Sequence, residues 1–204
     1  MEIIAGERPP GFIQTSMIGD MTLVRSTSQA GRLVSARSDQ LIRRSLIDSF
    51  LLGLVVKSNF AIRQAGHEGV LSPGELILID SLRKYELDVS AALNLIVLKI
   101  AWKSVETQML EHGRYLGRTL KTDQGLGFVV KNMLTADIAT APCISTFEAS
   151  RFEQGLIDML GSTYRYQTHG ESRSVGKQAH KVFNRLCQFI DNRLTDADMA
   201  PRMI

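Results

Sequence analysis

The chain has 204 residues, of which 44% are hydrophobic and 22% are charged, and its net charge is +3. This composition excludes a disordered chain, and no apolar run approaches the roughly 20 residues of a membrane-spanning helix. The first residues lack a basic segment followed by an apolar core, so we expect no signal peptide, a cytoplasmic location and no membrane partner.

Short apolar runs dominate the first half of the chain. Residues 21–26, 50–57, 60–65 and 93–100 each predict an extended segment. Turn residues separate these runs about every ten residues, which is typical of an all-β sandwich or barrel. We therefore predict β structure over residues 12–100.

The stretch with the clearest pattern of turn and strand residues is 69–87, GVLSPGELILIDSLRKYEL. Pro73 and Gly74 predict a tight turn, because proline presets φ and glycine accepts positive φ. Residues 76–79 are apolar and bracketed by turn residues, which favours a strand buried on both faces. A polar break and a second extended piece at residues 85–87 complete a hairpin-like block.

Two amphipathic helices follow. Residues 123–138 carry apolar side chains at helical spacing, and Ser145 with Glu148 forms a capping box that opens a second helix to about Leu160. An antiparallel helix pair of this size cannot bury both apolar stripes alone. The stripes pack on the outer face of the β domain, on each other or on a second subunit. The residues expected at a dimer seam are Val129, Met133, Phe152, Leu156 and Met159.

The end of the chain is polar and basic. Residues 165–177 predict a linker and residues 178–194 a further helix. Residues 161–204 hold seven Lys or Arg and four acidic residues, so the whole positive excess lies there. A solvated surface explains this charge as well as a nucleic-acid contact does.

Two motifs carry a family resemblance. Residues 71–87 fit L-x-P-G-x-L-x-L-I-D-S-x-x-x-Y-x-L, which resembles the effector-binding domain of AraC-type bacterial transcription regulators. Residues 183–204, FNRLCQFIDNRLTDADMAPRMI, resemble the start of an AraC/XylS-type DNA-binding domain. The two motifs occur in the family's order, and the resemblance covers nearly the whole chain.

The resemblance implies an α+β fold, with an N-terminal cupin-like antiparallel β-barrel followed by an amphipathic helix pair and a C-terminal helix. Residues 1–118 would form the effector-binding barrel and residues 119–164 the helical dimerisation segment. Residues 165–177 would be the linker. Residues 178–204 would be the incomplete start of a helix-turn-helix DNA-binding domain.

The function implied is ligand sensing and dimerisation in an AraC-type regulator that lacks its recognition helices here. Its partners would be a small organic effector and a second copy of the chain, with DNA bound only by a full-length form. The alternatives are a cupin-type small-molecule enzyme and a sensor-only protein acting through mixed dimers.

A pocket inside the barrel would bind the effector, and the polar candidates among the apolar strands are Arg25, Arg63, Arg83 and Tyr85. Exposure to solvent is the alternative for each arginine. Arg25 is the strongest inward candidate because it shares a strand face with Leu23. Of the four histidines only His67 lies in the β half, so we predict no metal site, no cofactor and no catalytic residues.

Overall fold

The computed structural model describes residues 2–5, 11–29, 33–44, 48–89, 92–136 and 144–169. The chain divides into two units, residues 1–164 and residues 165–204. All the strands among the described residues belong to the first unit. In the second unit the described residues are 165–169, which are the last turn of a helix.

The predicted β-rich half is confirmed. Six of the eleven described strands lie close to predicted runs, and the other five were not predicted individually. The strands are β1 Glu2–Ala5, β2 Gly11–Ile18, β3 Met21–Ser28, β4 Leu33–Arg37, β5 Ser49–Lys57, β6 Phe60–Gln64, β7 His67–Leu71, β8 Leu76–Asp80, β9 Tyr85–Val89, β10 Asn94–Ala101 and β11 Thr119–Leu120.

These strands form two antiparallel sheets. One has the order β1-β4-β9-β6-β7 and the other the order β11-β8-β5-β10-β3-β2. The α+β class is confirmed, but the two described sheets do not close into the predicted barrel. They face each other as a sandwich. Where the chain crosses from one sheet to the other, the strands before and after the crossing are not paired with each other.

The stretch of residues 69–87 contains two of these crossings, from β7 to β8 and from β8 to β9. β8 lies in the six-stranded sheet and β9 in the five-stranded sheet, so the predicted hairpin between them is wrong. The Asp80 side chain fixes the second crossing by accepting the amide N–H of Leu82 at 2.8 Å. The prediction that β8 is buried on both faces is confirmed, since all five of its residues are buried.

The two faces of the six-stranded sheet contact different cores. Phe50, Leu52 and Leu78 pack with apolar side chains of the helices, and we call this cluster the helix-side core. Val55 and Ile77 point the other way and meet the five-stranded sheet, forming the inter-sheet core. The alternation follows from the strand period of two, and it leaves both faces of this sheet apolar.

Four α-helices and a 3₁₀ turn lie within the described residues. They are α1 Asp39–Arg44, α2 Trp102–Gln108, the 3₁₀ turn His112–Arg114, α3 Gly125–Thr135 and α4 Thr146–His169. The helix pair α3 and α4 matches the predicted pair, and it packs on the helix-side core through Val130, Leu134, Leu156 and Leu160.

The predicted capping box at the start of α4 is confirmed. Glu148 accepts the Ser145 amide N–H at 2.9 Å, and the Glu148 amide donates to Ser145 Oγ at 3.2 Å. The Ser145 hydroxyl and amide lower the pKa of the Glu148 carboxyl. This box stabilises the helix start in the way the sequence motif predicts.

α4 continues nine residues past the predicted end at Leu160 and reaches His169. Tyr164 explains the extension, because it is buried in the helix-side core and its hydroxyl accepts the Leu78 amide at 3.0 Å. Residues 165–169, predicted as the start of the linker, are therefore helical. Residues 170–177 and the predicted helix over residues 178–194 lie outside the described residues.

Candidate effector site

An open cleft of about 530 Å³ lies at one end of the five-stranded sheet. Its lining comes from the end of β4, from the β6–β7 hairpin and from the start of β9, namely residues 36–38, 63–68 and 84–86. We call it the rim cleft. Three separate chain segments meet here because β4, β9 and β6 are neighbours in the sheet.

Arg63 lies on the outer side of the rim cleft. Its neighbours in β6, Ile62 and Gln64, are buried, so Arg63 points to the opposite face of the sheet. It bridges two carboxylates, Glu68 at 3.0 Å and Glu86 at 2.5 Å. The Arg63 guanidinium lowers the pKa of Glu68, and the hydrogen bond with Glu68 raises the pKa of Arg63.

Tyr85 and Arg37 form the inner side of the rim cleft. They are cross-strand partners in β9 and β4, which places their side chains on the same face of the sheet. Both are buried, with 8% of Tyr85 and 5% of Arg37 exposed. Burial raises the pKa of the Tyr85 hydroxyl, and the nearby positive charge of Arg37 opposes part of that rise.

Three buried polar residues, Gln64, Asp80 and Ser81, lie next to these two residues. We call this cluster the polar corner. The Gln64 amide accepts the Asp80 N–H at 2.9 Å and donates to the Asp80 carbonyl at 2.8 Å. The Arg37 Nε donates to the Ser81 carbonyl at 2.8 Å. The polar corner thereby fixes the end of β6 to the crossing between β8 and β9, and it sets the position of Arg37.

The structure brings together two of the four predicted effector residues, Arg63 and Tyr85, in the rim cleft. Arg83 is outside the lining; its side chain is 55% exposed and its Nε contacts Asp80 at 3.2 Å. Arg25 shares the face of Leu23, as predicted, but Leu23 belongs to the helix-side core. Arg25 accordingly donates to the Ala136 carbonyl at the end of α3, away from the inter-sheet core.

The five predicted seam residues lie in different environments. Val129 is 42% exposed, whereas Leu156 is fully buried in the helix-side core. Met133, Phe152 and Met159 are partly buried against the same core. Leu156 thus contacts this chain's own sheet, which is one of the alternatives that the sequence left open for the helix stripes.

The part of the chain that the structure describes contains no group of three or more His, Cys, Asp or Glu side chains placed to hold a metal ion. None of its helices combines the length and apolar character needed to cross a bilayer.

Sequence reasoning missed Arg37 and Gln64, which are central to the rim cleft. In β4 the apolar Val34 and Ala36 alternate with Ser35 and Arg37, so strand periodicity favours the apolar pair as the inward face. The register shows the reverse, since Arg37 pairs with the buried Tyr85. A signal for Gln64 was available, because it shares a face with Phe60 and Ile62.

A family model identifies the type of domain. The family model described as the AraC-binding-like domain matches residues 5–164. An uncharacterized protein in the nit 5' region of Bacillus sp. strain OxB-1 is 23% identical over 196 residues, covering 95% of this chain and 75% of that protein.

One solved structure shows the same fold, and a second gives a partial match. The AraC-like transcriptional activator CuxR matches with a TM-score of 0.65 and 18% identity, over 97% of this chain and 73% of CuxR. The Cupin_2 domain of an XRE family transcriptional regulator from Enterobacter cloacae matches 44% of this chain and 94% of that domain, with a TM-score of 0.35 and 8% identity.

Proposed function

Because this chain belongs to the AraC-binding-like domain family, we propose that it is the ligand-sensing and dimerisation region of an AraC-type transcription regulator. Membership of this family identifies the chain as a ligand-binding regulatory domain. The finer proposal is that a small organic effector binds in the rim cleft, that two copies pair through their helices, and that the protein works in the cytoplasm without catalysing a reaction.

The observation that carries the proposal is the convergence of polar side chains on the rim cleft. Arg63 and Tyr85 come from different strands and line the same cleft as the buried Arg37. A concave site with a few precisely placed polar groups is the usual form of a small-molecule site. The polar corner fixes Arg37 through the Ser81 carbonyl, and Glu68 and Glu86 fix Arg63, so the site has the defined geometry that selective binding requires.

A thermal-shift screen tests the sensing role. Sugars, aromatic acids and amines should be added to the purified chain, and an effector present at 100 times its dissociation constant should add about 2.7 kcal/mol to the free energy of unfolding. We expect at least one class to raise the melting temperature in a saturable way. A melting temperature unchanged by every class, in protein that carries no co-purified small molecule by mass spectrometry, contradicts the sensing role.

The proposed dimer surface consists of Val129, Met133, Phe152 and Met159, and it lacks Leu156 because that residue is fully buried in the chain. Val129 is a partly exposed apolar residue on α3, next to the side of the helix that packs on the sheet. An exposed apolar side chain gains free energy when a partner covers it. Two copies of this surface would cover each other about a two-fold axis.

Replacing Val129 with Asp should weaken the dimer at least tenfold, because a carboxylate at the seam would have to lose its water without a partner. Sedimentation equilibrium measures the dissociation constant. The matched control is Leu110→Asp, since Leu110 is 60% exposed and lies outside the proposed surface. A wild-type chain that is monomeric at high concentration, or a Val129→Asp dimer as tight as the control, refutes the seam.

DNA contacts belong, in this proposal, to a longer form of the protein that carries recognition helices. Reading base edges requires such helices in the major groove, and phosphate contacts alone give no sequence preference. The effector would act by favouring one of two arrangements, which requires different affinities for the two.

A further inference from the structure

Arg37 carries a buried donor that the fold itself leaves unused. The side chain is 5% exposed, and its Nε donates to the Ser81 carbonyl at 2.8 Å. Its Nη2 is shielded from solvent and has no hydrogen-bond partner. Buried polar atoms are almost always bonded and buried charges are almost always paired, so this atom requires an explanation.

The other cations of the rim cleft already have carboxylate partners. Arg63 is held by Glu68 and Glu86. Lys84 contacts Asp39 at 2.5 Å. Among the described residues that line the cleft, Arg37 is the cation that forms no salt bridge with a carboxylate.

One positive charge of the cleft lacks a carboxylate partner. Arg63 is paired with Glu68 and Glu86, and Lys84 is paired with Asp39, so the unpaired charge among the described lining residues is that of Arg37. A single guanidinium charge is neutralised by a monoanion. Tyr85 adds an aromatic ring beside the Arg37 guanidinium, and such a ring can pack against an organic ligand.

We propose that Arg37 is the anion-binding residue of the rim cleft and that the effector is a small organic monocarboxylate. A guanidinium binds a carboxylate through paired N–H donors, and Nη2 supplies a donor that no protein group uses. This inference rests on the proposed sensing role, and it names the chemical class of the molecule sensed.

Binding requires the lining side chains to move, because Nη2 is shielded in the structure. Lys84 is the exposed lining residue adjacent to Tyr85, and its ammonium group is held by Asp39 on α1. A ligand that reaches Arg37 would therefore select a second arrangement of this rim. Such a difference between the bound and free arrangements is what a sensor uses to shift a population.

The test is a titration of the wild-type chain labelled with ¹⁵N-arginine, monitored by NMR. The Arg37 Nε–H is bonded to Ser81 and buried, so its exchange with water should be slow enough to observe near neutral pH. The probes are benzoate and phenylacetate, each with its neutral amide, and inorganic phosphate as a second anion. We expect either acid to shift this resonance in a saturable way, and neither the amides nor phosphate to do so.

Variants assign the response to the side chain. Arg37→Lys keeps the charge but loses the planar donors, so it should weaken benzoate binding at least tenfold. Arg114→Gln is the matched control, because Arg114 is 66% exposed and lies outside the cleft, and it should bind as the wild type does. Circular dichroism checks that each variant is folded, and the wild-type titration stands even where a variant is not.

Three outcomes overturn the proposal: an Arg37 resonance that responds to neither acid, equal responses to the acids and amides, or undiminished acid binding by folded Arg37→Lys. A response to phosphate equal to that of benzoate would refute the monocarboxylate class. A neutral compound that raises the melting temperature equally in the wild type and in Arg37→Lys supports the sensing role while refuting the anion site. The two proposals therefore fail separately.

Discussion

Replacing Leu156 with Ala is expected to lower the free energy of unfolding by about 3 kcal/mol. The side chain is fully buried in the helix-side core, where Leu→Ala changes typically cost about 2–5 kcal/mol through lost burial and the cavity left behind. Urea unfolding followed by circular dichroism measures the loss. Sedimentation equilibrium on the folded variant should give the same dimer dissociation constant as the wild type.

The control for this prediction is Leu110→Ala. Leu110 is 60% exposed, so the same chemical change should alter the free energy of unfolding by less than about 0.5 kcal/mol. A Leu156→Ala variant as stable as this control would mean that α4 does not pack on the sheet as the structure has it. A Leu156→Ala variant with wild-type stability but a weakened dimer would show that Leu156 lies at the dimer seam.

The helix stripes illustrate what the sequence could predict. Helical spacing identified α3 and α4, and the capping box identified the start of α4. The spacing could not say what covers the stripes, because an apolar face has the same pattern whether a sheet or a second subunit packs on it. Only the position of the sheet assigns Leu156 to the chain's own core.

The strands were also only partly predictable from the sequence. The apolar runs gave the positions of β5, β8 and β10, and the turn residues gave their ends. The run Leu76–Asp80 is buried on both faces, so alternation within it could not tell the inter-sheet face from the helix-covered face. Arg25 was correctly placed beside Leu23, yet that face is the one beneath the helices.

The rim cleft was only partly predictable, since its inner residues break the rule that buried positions are apolar. Arg63 and Tyr85 were predicted as effector residues from their position among apolar strands. Arg37 and Gln64 are buried because each makes specific hydrogen bonds to the backbone of the polar corner. No local pattern in one sequence encodes those bonds, because their partners lie 44 and 16 residues away.

Gln64 therefore gives the second large effect: Gln64→Ala should lower the free energy of unfolding by about 2–4 kcal/mol. Its amide oxygen satisfies the buried Asp80 N–H, and such a group left without a partner costs about 1–3 kcal/mol. The Asp80 carbonyl keeps the Arg83 amide at 3.2 Å, so losing the Gln64 donor there costs about 1 kcal/mol more. Gln14→Ala is the matched control. Gln14 is exposed on β2, and its loss should change the unfolding free energy by less than about 0.5 kcal/mol.

The Gln64→Glu variant separates the contributions of the two hydrogen bonds that Gln64 makes with the Asp80 backbone. The carboxylate keeps an acceptor for the Asp80 N–H, but it faces the carbonyl oxygens of Asp80, Arg83 and Lys84, to which the native amide donates. Burial and these carbonyls should raise the pKa of the new carboxyl in the folded state above its unfolded value of about 4.3. The protonated form can donate to Asp80, so the variant should be most stable below about pH 4 and should lose stability as the pH rises through the raised pKa.

Urea unfolding at a series of pH values, with the wild type measured in parallel, tests whether the stability of the variant falls as the pH rises. A Gln64→Glu protein whose stability relative to wild type does not fall with rising pH would show that the amide donor contributes little. The crossing between β8 and β9 would then be held by the remaining bonds of residues 80–83, such as Leu82 to Asp80 and Arg37 to Ser81. A loss of the expected size would instead mean that the buried Gln64 amide donor contributes substantially to holding the end of β6 on this crossing.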